Sequence, residues 1–155
     1  MAKVIVFHAG KEEYALPVDT IVSIEKSEGI NPIPHLPSFV LGVTKVRGEL
    51  IPVFDLSEIL YSSSLDRTNA FLIVVKSEIM TIGLLVKEAK EILEYSDAAL
   101  TQVGLLAYGK ADYFSGIINL EDRMLTQIDP DRLVAGLKGI SEIRTYVTEQ
   151  EVQSN

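Results

Sequence analysis

Apolar positions in this chain come in short runs, and nearly every run is closed by a turn signal. Runs at 4–7, 13–17, 22–25, 43–46 and 50–54 in the first half read as strands, because β-branched and aromatic residues dominate them. Runs at 70–75, 80–86, 92–95, 113–120 and 123–128 do the same in the second half. The stretch 70–75, Ala-Phe-Leu-Ile-Val-Val, is apolar without alternation, as in a strand buried on both faces. Helical signals are few. Residues 18–21 fit one helical turn, and 56–60 and 130–137 fit short helices behind Asp55 and Asp129. Pro32, Pro34 and Pro37 keep 27–37 in a loop. Residues 61–69 are polar and within ordinary loop length. Residues 96–112 lack a pattern, and 139–155 end in a polar tail expected to fray.

One stretch is more specific than the rest. Residues 42–56 form a hairpin in which Arg47-Gly48 is the turn and Gly supplies a positive φ. Pro52 cannot donate to a ladder, so it belongs at an edge or a bulge. Asp55 then caps a helix. Residues 116–130 repeat the layout: Gly42 falls on Gly116, Val43 on Ile117, Leu50 on Met124 and Asp55 on Asp129, at a constant offset of 74 residues. Residues 13–21 resemble 81–89 with Leu16 on Leu84, at an offset of 68. Two similar β units in one chain would give both matches. The pattern predicts an all-β fold of two packed barrels with short peripheral helices.

Composition narrows the function. The chain has 155 residues, enough for one domain with a sizeable core, and 47% are hydrophobic, which excludes general disorder. No apolar run reaches transmembrane length, and the N-terminus has no cleavage signal, so the cytoplasm is the default expectation. There is no cysteine for a disulfide or a thiolate site. The net charge of −8 opposes phosphate backbones, and basic residues are not interleaved with aromatics, so an oligonucleotide-binding barrel is disfavoured. His8 and His35 read as surface residues, and Asp55 and Asp129 as helix caps rather than a carboxylate pair. The charged run at 87–91 reads as a solvated face, and Arg47 as a turn residue. No nucleophile, acid–base pair or metal set is visible in the pattern, which favours a binding module over a small β-barrel enzyme or ligand-binding protein.

Three blocks together resemble the CheW family of bacterial chemotaxis scaffolds. They are Tyr14-Ala15-Leu16-Pro17-Val18 leading to Ile24, then Pro37-Ser38-Phe39 leading to Gly42-Val43, then Arg47-Gly48-Glu49-Leu50-Ile51-Pro52-Val53-Phe54-Asp55-Leu56. Gly83-Leu84-Leu85-Val86 and the segment 116–125 extend the likeness. The resemblance implies one CheW-like domain over 1–138, built as two small five-stranded SH3-like β-barrels around a shared hydrophobic core, followed by a partly disordered tail over 139–155. It implies no enzymatic activity and no cofactor or metal. It implies two partners, the signalling tips of chemoreceptors and the regulatory domain of the histidine kinase CheA, at receptor arrays on the cytoplasmic side of the membrane and without membrane insertion. The receptor groove would be lined by Ile21, Gly42, Lys45, Arg47, Phe71, Leu72 and Ala89, and the kinase patch by Val22, Ser23, Ile24 and Glu25. This chain departs from the family pattern at Ser23, where the family often has Glu, at Lys45, where it has Asn, and at Lys87, where it has Asp. Such charge changes leave open a paralogue that serves another receptor–kinase pathway, such as surface motility.

Overall fold

The structure is a computed structural model and describes residues 1–101 and 113–153. It is mostly β. The chain runs β1 (Ala2–Ala9), β2 (Glu12–Pro17), a 3-10 turn (Val18–Thr20), β3 (Ile21–Lys26), β4 (Val40–Val46), β5 (Glu49–Asp55) and α1 (Leu56–Tyr61). It continues through β6 (Ala70–Lys76), β7 (Thr81–Tyr95), a second 3-10 turn (Asp97–Ala99), β8 (Leu100–Thr101), β9 (Phe114–Asn119), β10 (Met124–Ile128), α2 (Pro130–Gly136) and α3 (Ile140–Gln153). Neighbouring strands follow the order β3-β6-β7-β1-β2-β10-β9-β8, with β5 joined to β7 and β4 to β5.

The two halves match pair for pair. Gly42↔Val53, Val43↔Pro52 and Lys45↔Leu50 in the first hairpin become Gly116↔Gln127, Ile117↔Thr126 and Asn119↔Met124 in the second, each shifted by 74. Val6↔Ala15 in β1–β2 becomes Val74↔Gly83 in β6–β7, shifted by 68. Even the parallel joints agree: Val53 pairs Gly83, and Gln127 pairs Ala15. Both glycines let another backbone cross. A Cβ on Gly42 would lie 2.0 Å from the Asn31 carbonyl oxygen, and one on Gly116 would lie 2.5 Å from that of Thr101. Gly42 also has φ +151, outside the range of other residues.

Local chemistry explains these elements. Arg47 and Gly48 both have positive φ (51 and 82), the geometry of a two-residue hairpin turn whose twist suits the strands. Val43 exchanges both backbone bonds with Asn31 (2.8 and 2.9 Å), so Val43–Pro52 is a non-hydrogen-bonded pair. The Pro52 nitrogen therefore faces away from β4, and β7 pairs only from Val53 onward, so the missing donor costs nothing. Asp55 accepts from Glu58 N–H (3.2 Å) and Leu65 N–H (2.9 Å), and Asp129 caps α2 with Pro130 in its first turn.

The interior has three parts. The main cluster takes Ile5, Phe7 and Leu16 from one half, Phe54, Ile73 and Leu84 from the other, and residues of all three α-helices. A smaller cluster holds Val4, Val6 and Leu125, and its counterpart holds Leu72, Val74 and Ile51 at the repeat-related positions. Alternate residues of β1 and β6 thus face different clusters, which is why both strands are continuously apolar. Pairing among the described residues closes neither half into a ring, because no ladder joins β3 to β4 or β7 to β8.

Three expectations change. The runs at 80–86 and 92–95 are one strand, β7, because the charged stretch between them stays extended through a left-handed Glu88 (φ 54). The region 96–112 begins with a 3-10 turn and β8, and its part 102–112 lies outside the described residues. The expected loose tail over 139–155 is largely α3. Ile140, Ile143 and Val147 recur on one helical face, and Ile143 and Val147 enter the main cluster at 0% and 5% exposure.

The two halves also meet through a polar contact. The Tyr14 hydroxyl on β2 hydrogen-bonds that of Tyr61 at the end of α1. Burial pushes the Tyr14 phenol well above its ordinary value, and the bond to Tyr61 adds to this. Burial also raises Tyr95. The unfolded chain therefore releases these protons near pH 10 while the native chain holds them, so stability falls as pH rises through that value.

Three measurements check this architecture. Ile143→Ala should lower unfolding free energy in urea by about 2–5 kcal/mol, whereas exposed Ser141→Ala should change it by less than about 0.5; in a frayed tail the Ile143→Ala loss would be absent too. Gly42→Ala should cost about 2–4 kcal/mol through clash and backbone strain, and Gly116→Ala about 1–3. Tyr14→Phe should flatten part of the alkaline loss of stability above about pH 10, leaving the share due to Tyr95.

Candidate functional site

The tip of the first hairpin carries the clearest unspent chemistry. Lys45 and Arg47 are exposed, and no described residue forms an ion pair or side-chain hydrogen bond with either. In a chain of net charge −8, two unpaired cations at a rigid turn attract carboxylates. The turn is held from behind. Asn31 bridges Val43, the Thr44 hydroxyl donates to the Gly29 carbonyl at 3.0 Å, and α3 lies across the same hairpin. At the repeat-related tip Asn119 replaces Lys45 and Glu121 replaces Arg47, so the two tips differ in charge.

The other expected groove residues do not share one surface. Phe71 and Leu72 are consecutive on β6 and point to opposite faces. Phe71 is half-buried against the main cluster, as is Ile21, and Ala89 belongs to that cluster at 7% exposure. Leu72 is 1% exposed inside the smaller cluster with Ile51 and Val53, so it supports β6 from within. Gly42 is covered by the Asn31 backbone and acts as a crossing point. Only Lys45 and Arg47 of this set are fully accessible.

The expected kinase residues lie on β3, which among the described residues pairs only with β6 and has its other edge unpaired. Val22 and Ile24 point outward at 37% and 38% exposure. Ser23 and Glu25 point the other way and are half-buried. The Ser23 hydroxyl is buried without a hydrogen-bond partner among the described residues. An open strand edge beside two exposed branched apolar side chains is a surface suited to protein contact.

Sequence reasoning missed two features. A cavity of about 460 Å³ lies between β1–β2 and β6–β7, with Phe71, His8, Glu13, Lys87 and Glu88 in its lining. There His8 Nδ1 meets Glu88 at 2.9 Å and Arg123 meets Glu13 at 3.3 Å. Arg123 also pairs with Glu91, which holds its guanidinium more firmly protonated. Lys87 pairs with Asp66 at 3.5 Å and donates to the Thr68 carbonyl. His8 and the 87–91 run are therefore cross-linked between strands, which no local pattern could announce. The second missed feature is α3, whose signal was the spacing of Ile140, Ile143 and Val147 in an otherwise polar segment. No helix among the described residues is long and apolar enough to cross a membrane.

Comparison with known proteins bears on the family and the fold. The CheW-like domain family matches residues 3–138. The chemotaxis protein CheW of Rhizobium meliloti is 29% identical over 133 residues, covering 83% of this chain and 84% of its own. The protein FrzA of Myxococcus xanthus is 36% identical over 50 residues, 32% of this chain and 31% of its own. The crystal structure of the scaffolding protein TtCheW from Thermoanaerobacter tengcongensis superposes with a TM-score of 0.79 over 89% of this chain and 90% of that one, at 24% identity, a likeness that carries the fold. With the matched segment reaching from β1 to the end of α2, the chain belongs to the CheW-like domain family.

Proposed function

We propose that this protein is a non-catalytic scaffold of chemotaxis-type signalling, coupling the cytoplasmic tips of chemoreceptors to the regulatory domain of the histidine kinase CheA. The family match over residues 3–138 carries the reading. In it, the Lys45–Arg47 tip meets carboxylates on the receptor, with Ile21, Phe71 and Ala89 as apolar ground and Gly42 and Leu72 in support. The exposed Val22 and Ile24 on the open edge of β3 take the kinase domain, with Ser23 and Glu25 behind them. Each half of the sheet curls into a small five-stranded SH3-like barrel around its own smaller cluster, and the main cluster joins the two. The protein works in the cytoplasm, held at receptor arrays by these contacts, and binds neither nucleic acid nor the lipid interior.

A second reading keeps the fold and changes the pathway. The partial likeness to FrzA, together with Ser23, Lys45 and Lys87 in place of the family's usual residues, favours a CheW-like scaffold of a different receptor–kinase system.

The test is a pull-down of the full chain with the CheA regulatory domain and, separately, with a receptor signalling-tip fragment, at two salt concentrations. Both should bind. Arg47→Glu should keep the melting temperature, because an exposed turn residue buries little, and should weaken receptor binding about tenfold at low salt and less at high salt. Binding to neither partner would move the function to another pathway. Unfolding or unchanged binding of the variant would remove Arg47 from the contact.

A further inference from the structure

The first hairpin, the segment 31–33 and α3 enclose an open cavity of about 360 Å³. Its apolar walls are Val43, Leu50 and Tyr146. Three polar residues line it from three separate segments: Lys45 from β4, Gln150 from α3, and Asn31 from the loop. Mostly apolar concavities with a few convergent polar groups are the usual form of a recognition site.

Two observations give the occupant its chemistry. The Lys45 ammonium has no partner among the described residues, and neither has the Gln150 amide, so one cation and one neutral amide face a shared space. The related hairpin has no cation at its tip. There Asn119 and Glu121 stand for Lys45 and Arg47, and Met124, in the place of Leu50, is 65% exposed. The pocket is thus a specialisation of the first half, made by adding a cation and a helix to a repeated scaffold. The helix lies beyond the 3–138 segment that defines the family.

We propose that α3 forms part of the partner-binding face and that the cavity receives an acidic side chain of the receptor tip. The carboxylate lies on the Lys45 ammonium with the Gln150 amide donating beside it. An apolar residue of the same receptor segment packs on Leu50 and Tyr146. Gln150 is a specificity-determining residue in this arrangement, because its neutral amide leaves the Lys45 charge free for the partner. The inference rests on the reading that a receptor tip meets the Lys45–Arg47 hairpin.

The experiment measures affinity of the full chain for the receptor signalling-tip fragment, for wild type, Gln150→Glu and Gln150→Lys, at low and high salt. Gln150→Glu places a carboxylate beside Lys45 and should weaken binding about threefold to tenfold at low salt. Gln150→Lys should strengthen it by a similar factor. Both effects should shrink at high salt, and melting temperatures should stay close to that of the wild type. Effects of opposite sign in folded proteins would establish the site, since a merely structural role for Gln150 would not invert with charge. Equal losses in both variants, or no change while Arg47→Glu still weakens binding, would overturn the inference and leave the coupling reading intact. No binding by the wild-type chain, with Arg47 and Gln150 both present, would overturn the coupling reading, and this inference with it.

Discussion

The fold depends on one strand having two sets of partners. From Thr81 to Lys87, β7 pairs with β6, and within that stretch also with β5; it meets β1 at Lys87 and, after a shift in register, from Glu91 to Tyr95. The change comes where Glu88 takes left-handed backbone, a strained conformation for a residue with a side chain. That strain is offset by what the bend permits, since each half of β7 continues the ladder of a different β unit. β3 does the converse: it leaves the first hairpin of the chain and pairs with β6 in the other unit. One unit, β3 to β6 with the first part of β7, is therefore a continuous piece of chain, and it interrupts the other, whose β1 and β2 must meet the end of β7 and β10 across it.

This exchange explains the distribution of apolar side chains. β1 and β6 sit between two interiors, so neither strand has a polar face. The main cluster lies where the units meet and receives α1, α2 and α3 at its margins. Burial on this scale, with each core aliphatic residue contributing about 1.5–3 kcal/mol, leaves little freedom for the units to move apart. What projects from that block is the hairpin tips, the edge of β3 left unpaired among the described residues, and the surface shared by α3 and the first hairpin.

The repeat also shows how the two halves have diverged. Backbone requirements persist in both, namely the glycine crossing, the aspartate cap and the register of the parallel joint. Exposed positions do not persist. Lys45 and Arg47 face Asn119 and Glu121 across the repeat. A crossing glycine is fixed by the backbone packed against it, while a rim charge can change without disturbing the core, so exposed positions are free to differ where architecture is not.

Most of the strand content, both hairpins, both caps and the internal repeat were legible in the sequence, because turn chemistry, capping and two-residue alternation act over neighbouring positions. Arg47 and Lys45 could be placed at an exposed turn for the same reason. What the residues could not reveal alone was long-range. Leu72 looked like Phe71's partner in a groove, but alternation on a strand buried on both faces sent it inward. His8 looked like a surface residue until Glu13 and Glu88 were brought to it from other strands. The polar composition of 140–153 hid a narrow apolar stripe whose value exists only when the first hairpin and the loop before it offer a seat. Local sequence determined which elements form. Tertiary structure decided which faces they spend on each other and which remain for a partner, because that depends on side chains far apart in the chain competing for the same buried space.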